Sequence, residues 1–159
     1  MVALDHAGWT DERLTVDLWG HEHVGVVASE PVNRELSDAI DASCRLLWLW
    51  REDDVPFHDD APLLVISQSS LDELNRRLPS PLPMNRFRPS VVVAGSTAFE
   101  EDEWQRIAIG ATEFTAVKLC VRCSITTIDQ AEGQFRGPEP LHTLATFRRT
   151  EKGVAFGAY

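Results

Sequence analysis

Two cysteines lie three residues apart, next to two basic residues, in the segment Lys118-Leu119-Cys120-Val121-Arg122-Cys123. A cysteine thiolate is a soft metal ligand and a strong nucleophile, and a nearby positive charge stabilises it. Lys118 and Arg122 argue against two inert core thiols, since a cation is a poor neighbour for an apolar cluster. The segment therefore predicts a site that holds a metal or a reactive group.

Three other interpretations of the cysteine pair stay open at this point. A zinc site needs two more ligands, and neither Cys44 nor any of the five histidines has the tight spacing expected of them. A thioredoxin-like redox pair begins a helix, whereas residues 124–128 are rich in β-branched side chains and predict a strand. An inert pair of core thiols is the third. We interpret His21 and His23 as residues of a solvated turn.

A second candidate segment is the proline-flanked loop that contains Asn85, Arg86 and Arg88. A guanidinium group binds phosphate or carboxylate oxygens with paired hydrogen bonds. Two arginines that are two residues apart in an extended segment point to opposite sides, so one of them faces a given ligand. The alternative is that both pair on the surface with the acidic run 100–103.

Composition restricts the class of protein. A chain of 159 residues fits one domain and needs no disulfide to fold, and its net charge of −10 opposes binding to nucleic acid or to an anionic membrane. Three cysteines are an odd number, which favours a reducing compartment. We find no basic start followed by an apolar core, and no run of about 20 apolar residues. We expect a cytoplasmic protein with no membrane partner.

Hydrophobic patterns predict many short strands and a few helices. The predicted strands are Leu14–Leu18, Val24–Val27, Cys44–Trp50, Pro62–Ser67, Val91–Val93, Arg106–Ile109, Glu113–Leu119, Cys123–Ile128 and Val154–Tyr159. Trp48 and Trp50 are interpreted as core residues, and residues 51–61 as a loop. The fold class is mostly β with a few helices (α+β), arranged like a barrel.

Three helices are predicted between these strands. Asn33 is the predicted N-cap of the first, which has Leu36, Ala39 and Ile40 on one face and ends near Cys44. Ser70 and Glu73 form a predicted capping box for the second, which has charge pairs Asp72–Arg76 and Glu73–Arg77 and ends before Pro79. The third is predicted from Pro140 to Arg148.

Several stretches agree, in order and spacing, with one known family. They are Leu63–Ser67, Ser70–Asn75, Arg86–Pro89, Val91–Gly95, Phe99–Trp104, Ile109-Gly110, Lys118–Cys123, Thr126–Asp129, Glu139–Leu141, Thr143-Leu144, Phe147-Arg148 and Phe156-Gly157. On these residues the chain resembles the MOSC (molybdenum-cofactor sulfurase C-terminal) domain, in particular its amidoxime-reducing branch. Ser90 differs from the asparagine that is usual after Phe-Arg-Pro.

The resemblance implies a β-barrel-like fold that binds a molybdopterin cofactor and reduces N-hydroxylated small molecules. It implies that Cys123 is the metal ligand and the catalytic residue, and that Arg88 holds the anionic cofactor. A thiolate suits the metal and a guanidinium suits the phosphate. The further residues predicted to bind the cofactor are Asn85, Arg86, Arg122 and Thr127. Because no iron–sulfur cysteine cluster is present, electrons are expected from a separate donor protein.

The resemblance also predicts the domain organisation. Residues 1–30 are the expected remnant of a preceding N-terminal β-barrel domain, and residues 31–159 are the MOSC domain without its final strand, so the chain is expected to be truncated at both ends. Two alternatives to a reductase remain: a non-catalytic carrier of the cofactor or of sulfur, and a shortened chain that binds nothing. An exposed terminal strand predicts a homodimer.

Overall fold

The computed structural model describes residues 8–18, 20–49 and 60–159. The chain divides into two compact units, Met1–Phe57 and His58–Tyr159, and each is described by itself. The predicted domain boundary after residue 30 stays a prediction. Trp50 and most of the predicted loop 51–61 lie outside the described residues.

The first unit contains the predicted hairpin, which the structure confirms. Strands β1 (Trp9–Leu18) and β2 (His21–Ala28) pair antiparallel, and β3 (Leu47–Leu49) adds to the other side of β2. The predicted core role of Trp48 is wrong, since 58% of its surface is exposed. It packs edge-on against Trp9, with 5.7 Å between the ring centroids.

Helix α1 (Glu30–Ile40) begins earlier than the sequence pattern predicts. Its N-cap is Ser29, so the prediction that Asn33 caps it is wrong. The Asn33 side chain is buried, where its amide donates to the Ala28 carbonyl at 2.8 Å and its oxygen accepts from the Leu46 amide at 2.8 Å. Asn33 thus joins the helix to the chain on both sides of it.

The second unit is built from short strands and two helices. In chain order these are β4 (Val65–Ser67), α2 (Gln68–Arg77), β5 (Val91–Val93), β6 (Arg106–Ile109), β7 (Thr112–Thr115), β8 (Leu119–Val121), β9 (Ile128–Asp129), β10 (Gln134–Phe135), α3 (Leu141–Ala145), β11 (Arg149–Thr150) and β12 (Gly153–Ala158). Single 3-10 turns span Met84–Phe87, Glu100–Asp102 and Ser124–Thr127.

The main sheet of this unit has the order β11-β12-β4-β5, and β8 also pairs with β12. Strands β4 and β5 are parallel, while β6–β7 and β9–β10 form separate hairpins. The mostly β fold class with a few helices is confirmed, and the described strands form separate sheets that do not close into a barrel. Because β12 pairs with β11, β4 and β8, the expectation of an unpaired terminal strand, on which the homodimer prediction rests, is wrong.

The core of the second unit lies between this sheet and helices α2 and α3. Phe87 and Phe156 are fully buried there, with ring centroids 4.4 Å apart. The remaining buried members are Leu64, Ile66, Leu71, Leu74, Leu78, Cys120 and Leu144. Since Phe87 and Cys120 belong to this cluster, the arginine loop and the cysteine segment are both fixed on the same core.

Helix α2 ends before Pro79 as predicted, but its N-terminus differs from the predicted capping box. Ser67 is the N-cap and accepts from the Ser70 amide. The Ser70 hydroxyl is buried and donates instead to the Glu101 carboxylate at 2.8 Å. Glu73 pairs with Arg77 as predicted and also with Arg76, while the side-chain amide of Gln68 donates to Asp72.

Helix α3 is shorter than predicted. It covers Leu141–Ala145, and Arg148 lies beyond its end. Arg148 pairs with Asp102 at 2.6 Å and lies over the Phe99 ring, with its guanidinium carbon 4.4 Å from the centroid. This pair joins the 3-10 turn Glu100–Asp102 to the segment between α3 and β11.

Candidate functional site

The two cysteines of the candidate motif have opposite environments. Cys120 lies in β8 and is 2% exposed, whereas Cys123 follows the strand and is exposed. Both are free thiols. The Arg122 amide donates to the Val154 carbonyl at 2.8 Å, which extends the β8–β12 pairing up to the residue before Cys123. Cys123 is therefore an accessible thiol on a backbone that β12 holds in place.

The predicted strand Cys123–Ile128 is wrong. Residues Ser124–Thr127 form a 3-10 turn, and only Ile128 and Asp129 are in a strand. The Thr126 hydroxyl donates to the Cys123 carbonyl at 3.0 Å, and the Thr127 hydroxyl donates to the Ser124 carbonyl at 2.6 Å. Such local bonds offer the backbone an alternative to a strand, which β-branched composition alone does not reveal.

The guanidinium group of Arg122 connects the cysteine segment to the arginine loop. Its Nη1 donates to Cys120 Sγ at 2.8 Å, and its Nη2 donates to the Phe87 carbonyl at 2.7 Å. Its Nε is buried and has no hydrogen-bond partner in the part of the chain that the structure describes. One donor of a half-buried cation thus remains available for an acceptor.

The arginine loop is a 3-10 turn, Met84–Phe87, that ends at Arg88. Arg88 has φ 54° and ψ 47°, and its amide donates to the Asn85 carbonyl. The side chains of Asn85 and Arg88 are both exposed. We find no hydrogen bond or ion pair of the Arg88 side chain with any residue in the described ranges. Among the described residues, Arg88 therefore has no side-chain partner, and it directly follows the Phe87 carbonyl that accepts from Arg122.

Arg86, by contrast, is buried and paired. Its side chain is 5% exposed and its Nη2 lies 3.2 Å from the Asp129 carboxylate. The alternative in which Arg86 pairs with the acidic run 100–103 is therefore wrong. Two acidic groups of that run have other partners: Glu101 accepts from Ser70, and Asp102 pairs with Arg148.

Together these contacts bring two distant segments into one site. The Arg122–Phe87 hydrogen bond and the Arg86–Asp129 ion pair tie residues 84–88 to residues 119–129. The exposed thiol of Cys123 and the exposed guanidinium of Arg88 each directly follow a residue of the first bond. Thr127 is 3% exposed, and its hydroxyl donates to the Ser124 carbonyl within its own turn. The site offers one soft ligand and one anion-binding group.

Among the residues that the structure describes, no three His, Cys, Asp or Glu side chains are grouped so as to hold a metal ion. Within the described ranges, Cys123 thus does not belong to a group of protein side chains that could hold a metal ion. His21 and His23 open β2 in the first unit, and Cys44 there hydrogen-bonds through its amide to Ser37.

Sequence reasoning predicted that Asp129 shapes the turn and strand behind the site, but it did not identify the Asp129 carboxylate and the Phe87 carbonyl as the partners of Arg86 and Arg122. They lie 43 and 35 residues from their arginine partners, beyond the reach of any local spacing rule. It also missed Tyr159, which contacts Cys120. Burial, followed by the hydrogen bond with Cys120, raises the pKa of Tyr159 well above its ordinary value.

In the described residues, no helix combines the length and the apolar character that crossing a membrane requires.

Most of the chain is similar to a known domain family and to known proteins. Residues 52–159 match the model of the MOSC domain. The chain is similar to "Mitochondrial amidoxime-reducing component 1" of Xenopus laevis, with 39% identity over 107 residues, which are 67% of this chain and 31% of that protein. The corresponding protein of Danio rerio is 43% identical over 101 residues, 64% of this chain and 31% of that protein.

A second set of relatives has a similar relationship. "Mitochondrial amidoxime reducing component 2" of Bos taurus is 40% identical over 94 residues, 59% of this chain and 28% of that protein. The chain thus spans about a third of the length of these curated relatives. The matched family region contains both the arginine loop and the cysteine segment.

Proposed function

Because the chain belongs to the MOSC domain family, we propose that it is the cofactor-binding part of a molybdenum-dependent reductase of N-hydroxylated small molecules. The relatives named amidoxime-reducing components support the reaction class. The observation that carries the proposal is the exposed Cys123 thiol, held on a segment that Arg122 ties to the loop of Arg88.

The residues present fit a molybdopterin cofactor. An exposed thiol is a ligand suited to molybdenum, and one protein ligand is enough when the cofactor supplies others. Arg88 has no described partner and suits a phosphate group. The buried Nε of Arg122 has no acceptor among the described residues, and an anionic group could accept its hydrogen bond. Cys123 would hold the metal, and Arg88 and Arg122 would hold the anionic part.

Other predicted residues take different roles in this proposal. Arg86 is buried and paired with Asp129, so its role is to hold the arginine loop in place. Thr127 stabilises the turn after Cys123 through its hydroxyl. Asn85 is exposed one turn before Arg88 and is available to the cofactor.

Bound at this site, the cofactor would supply the two-electron chemistry that removes the oxygen of an N–O bond. The chain contributes orientation and charge. Cys123 is fixed by the β8–β12 pairing on one side and the 3-10 turn on the other, so its sulfur is presented without a further rearrangement. The guanidinium groups offset the negative charge of the ligand. The partners in this proposal are a small-molecule substrate and a separate electron-donor protein, and a cytoplasmic location stays a prediction.

A carrier of the cofactor or of sulfur is the second candidate function. The observation that favours it is the exposure of Cys123, since a delivery module needs its cysteine open to a receiving protein. Both functions require Cys123, but only the reductase requires turnover.

The metal content of the purified chain, produced in cells that make the cofactor, tests these functions. We expect bound molybdenum in the wild type and reduction of an amidoxime when an artificial electron donor is present. Cys123→Ala should lose both with an unchanged circular dichroism spectrum, and Cys44→Ala is the matched control that keeps both. Metal without turnover favours the carrier, and a wild type without metal contradicts both functions.

A further inference from the structure

We propose that Cys120 is a positioning residue for the cofactor site, which acts by holding the Arg122 guanidinium against the Phe87 carbonyl. This inference rests on the proposed function for its effect on the cofactor. The contacts on which it depends are all within the second unit, and they assign to the buried cysteine a role that is distinct from the role of the exposed cysteine.

The Arg122 side chain must find acceptors in a largely apolar environment. Its guanidinium carbon lies 5.7 Å from the centroid of the Phe87 ring, and Phe87 and Cys120 are 0% and 2% exposed. A guanidinium group that is removed from water requires hydrogen bonds to offset its lost hydration. The structure supplies two acceptors, Cys120 Sγ at 2.8 Å and the Phe87 carbonyl at 2.7 Å.

The two acceptors of Arg122 have different roles. Cys120 lies in β8, two residues before Arg122, which follows the end of that strand, so the Cys120 sulfur fixes the direction in which the guanidinium group points. The Phe87 carbonyl lies on the other segment, and it precedes the backbone of Arg88. The path Cys120–Arg122–Phe87 therefore links the strand that leads to Cys123 with the left-handed residue that presents the free guanidinium of Arg88.

Loss of the sulfur acceptor has a predictable consequence. Arg122 would keep only the Phe87 carbonyl as an acceptor, with two donor nitrogens of a half-buried cation unpaired. The side chain would then turn towards water, and the Phe87 carbonyl would lose its partner. We expect the arginine loop to become less ordered relative to Cys123, which weakens retention of the cofactor.

Packing is the competing role for Cys120, because it belongs to the hydrophobic core of the second unit. Two substitutions separate the roles. Cys120→Val keeps an apolar side chain and removes the acceptor, whereas Cys120→Ser keeps an acceptor and removes apolar character. A packing role predicts that valine is tolerated better than serine, and a positioning role predicts the reverse for the site.

The first measurement uses the chain without cofactor. In nitrogen-15 NMR spectra we follow the Arg122 side-chain Nε–H signal and the backbone amide of Arg88, which adjoins the Phe87 carbonyl. We expect both signals to shift and to exchange faster with solvent in Cys120→Val, and to stay close to wild type in Cys120→Ser. Unchanged signals in Cys120→Val would overturn the proposal, whatever the cofactor does.

The second measurement is the molybdenum content per folded protein after gel filtration. We expect a severalfold loss in Cys120→Val and near-wild-type content in Cys120→Ser, even if urea unfolding shows that serine is the less stable variant. Equal content in the two variants would overturn the effect on the cofactor. A wild type without molybdenum contradicts the proposed function instead, and the NMR comparison then decides the positioning role by itself.

Discussion

The guanidinium group of Arg86 and the carboxylate of Asp129 form a 3.2 Å ion pair between residues that are 43 positions apart in the chain. Arg86 lies in the turn before Arg88, and Asp129 lies just after the turn that follows Cys123. The other oxygen of Asp129 accepts from the amides of Ala131 and Glu132. One carboxylate thus shapes the β9–β10 connection and neutralises a buried cation next to the candidate site.

We predict that Asp129→Ala destabilises the chain by about 3 kcal/mol, the low end of the range for removal of one partner from a buried pair. The low end applies because the Asp129 side chain is 30% exposed, although Arg86 is only 5% exposed. Urea unfolding of Asp129→Ala, Arg86→Ala and the double variant measures this cost. We expect the double variant to cost less than the sum of the two single variants, and strict additivity would contradict the coupling.

Gly157 is the glycine whose replacement should lower the free energy of unfolding most. It has φ 85°, and an added Cβ would lie 2.7 Å from Ile66 Cγ1 and 2.9 Å from the Val65 carbonyl oxygen. Backbone strain costs about 1–2 kcal/mol and overpacking about 1–3 kcal/mol more. We predict that Gly157→Ala loses about 3 kcal/mol in urea unfolding.

Gly95→Ala provides the control for backbone strain alone. Gly95 has φ 89° with nothing within 4 Å of an added Cβ. We expect it to lose about 1 kcal/mol. Equal losses in the two variants would contradict the prediction that the close approach of Gly157 to β4 leaves no space for a side chain at position 157.

The sequence predicted elements that depend on local pattern. The β1–β2 hairpin, the end of α2 before Pro79, strand β5 and strand β12 all follow from alternation, proline and helical spacing. The predicted helix caps failed because the predicted capping side chains have tertiary hydrogen bonds instead. Ser29 rather than Asn33 caps α1, and Ser67 rather than Ser70 caps α2, because tertiary partners engage the side chains of Asn33 and Ser70.

Residue types and spacing pointed to the cysteine pair and to the arginine loop, but not to the contacts that support them. Within these two segments, it was the resemblance to the MOSC domain that singled out Cys123 and Arg88, and their roles stay predictions. The burial of Arg86 depends on Asp129, a distant residue that sequence spacing does not reveal. The turn at Ser124–Thr127 depends on threonine hydroxyls that bond locally, which β-branched composition does not reveal.

Arg88→Gln should separate binding from stability. Since the Arg88 side chain is exposed and has no partner in the described ranges, the free energy of unfolding should change by no more than about 0.5 kcal/mol. Retention of molybdenum should fall severalfold, because a neutral amide cannot replace a guanidinium group at an anionic ligand. Metal analysis and urea unfolding check both statements, with the exposed Arg136→Gln as control. Full metal retention in Arg88→Gln would contradict the anchoring role.

Glu101 is a buried carboxylate that organises the start of α2. It is 1% exposed and accepts from the Ser67 amide at 3.3 Å and the Ser70 hydroxyl at 2.8 Å. Glu101→Ala leaves the Ser67 amide without this acceptor and the Ser70 hydroxyl without its carboxylate partner, so we predict a loss of about 2–3 kcal/mol in urea unfolding. Glu101→Gln keeps one acceptor oxygen and should lose less. The exposed neighbour variant Glu100→Gln is the control, and a similar small loss in all three would contradict the structural role of Glu101.

Tyr159 should make the stability of the chain decrease in alkaline solution. Burial raises the pKa of Tyr159, the contact with Cys120 and the charge of Asp60 raise it further, and the Arg122 guanidinium opposes this. The unfolded chain releases the phenol proton near the ordinary tyrosine pKa of about 10, while the folded chain keeps it. The contribution of Tyr159 to stability is therefore complete below about pH 10 and is lost as the pH rises towards the folded pKa.

Tyr159 is the one tyrosine in the sequence, so near-ultraviolet phenolate absorbance follows it alone. We expect its titration midpoint to lie above that of the urea-unfolded chain, and Tyr159→Phe to show a smaller loss of stability between about pH 9 and 11 than the wild type. Coincident midpoints in folded and unfolded chains would contradict the burial of the phenol against Cys120.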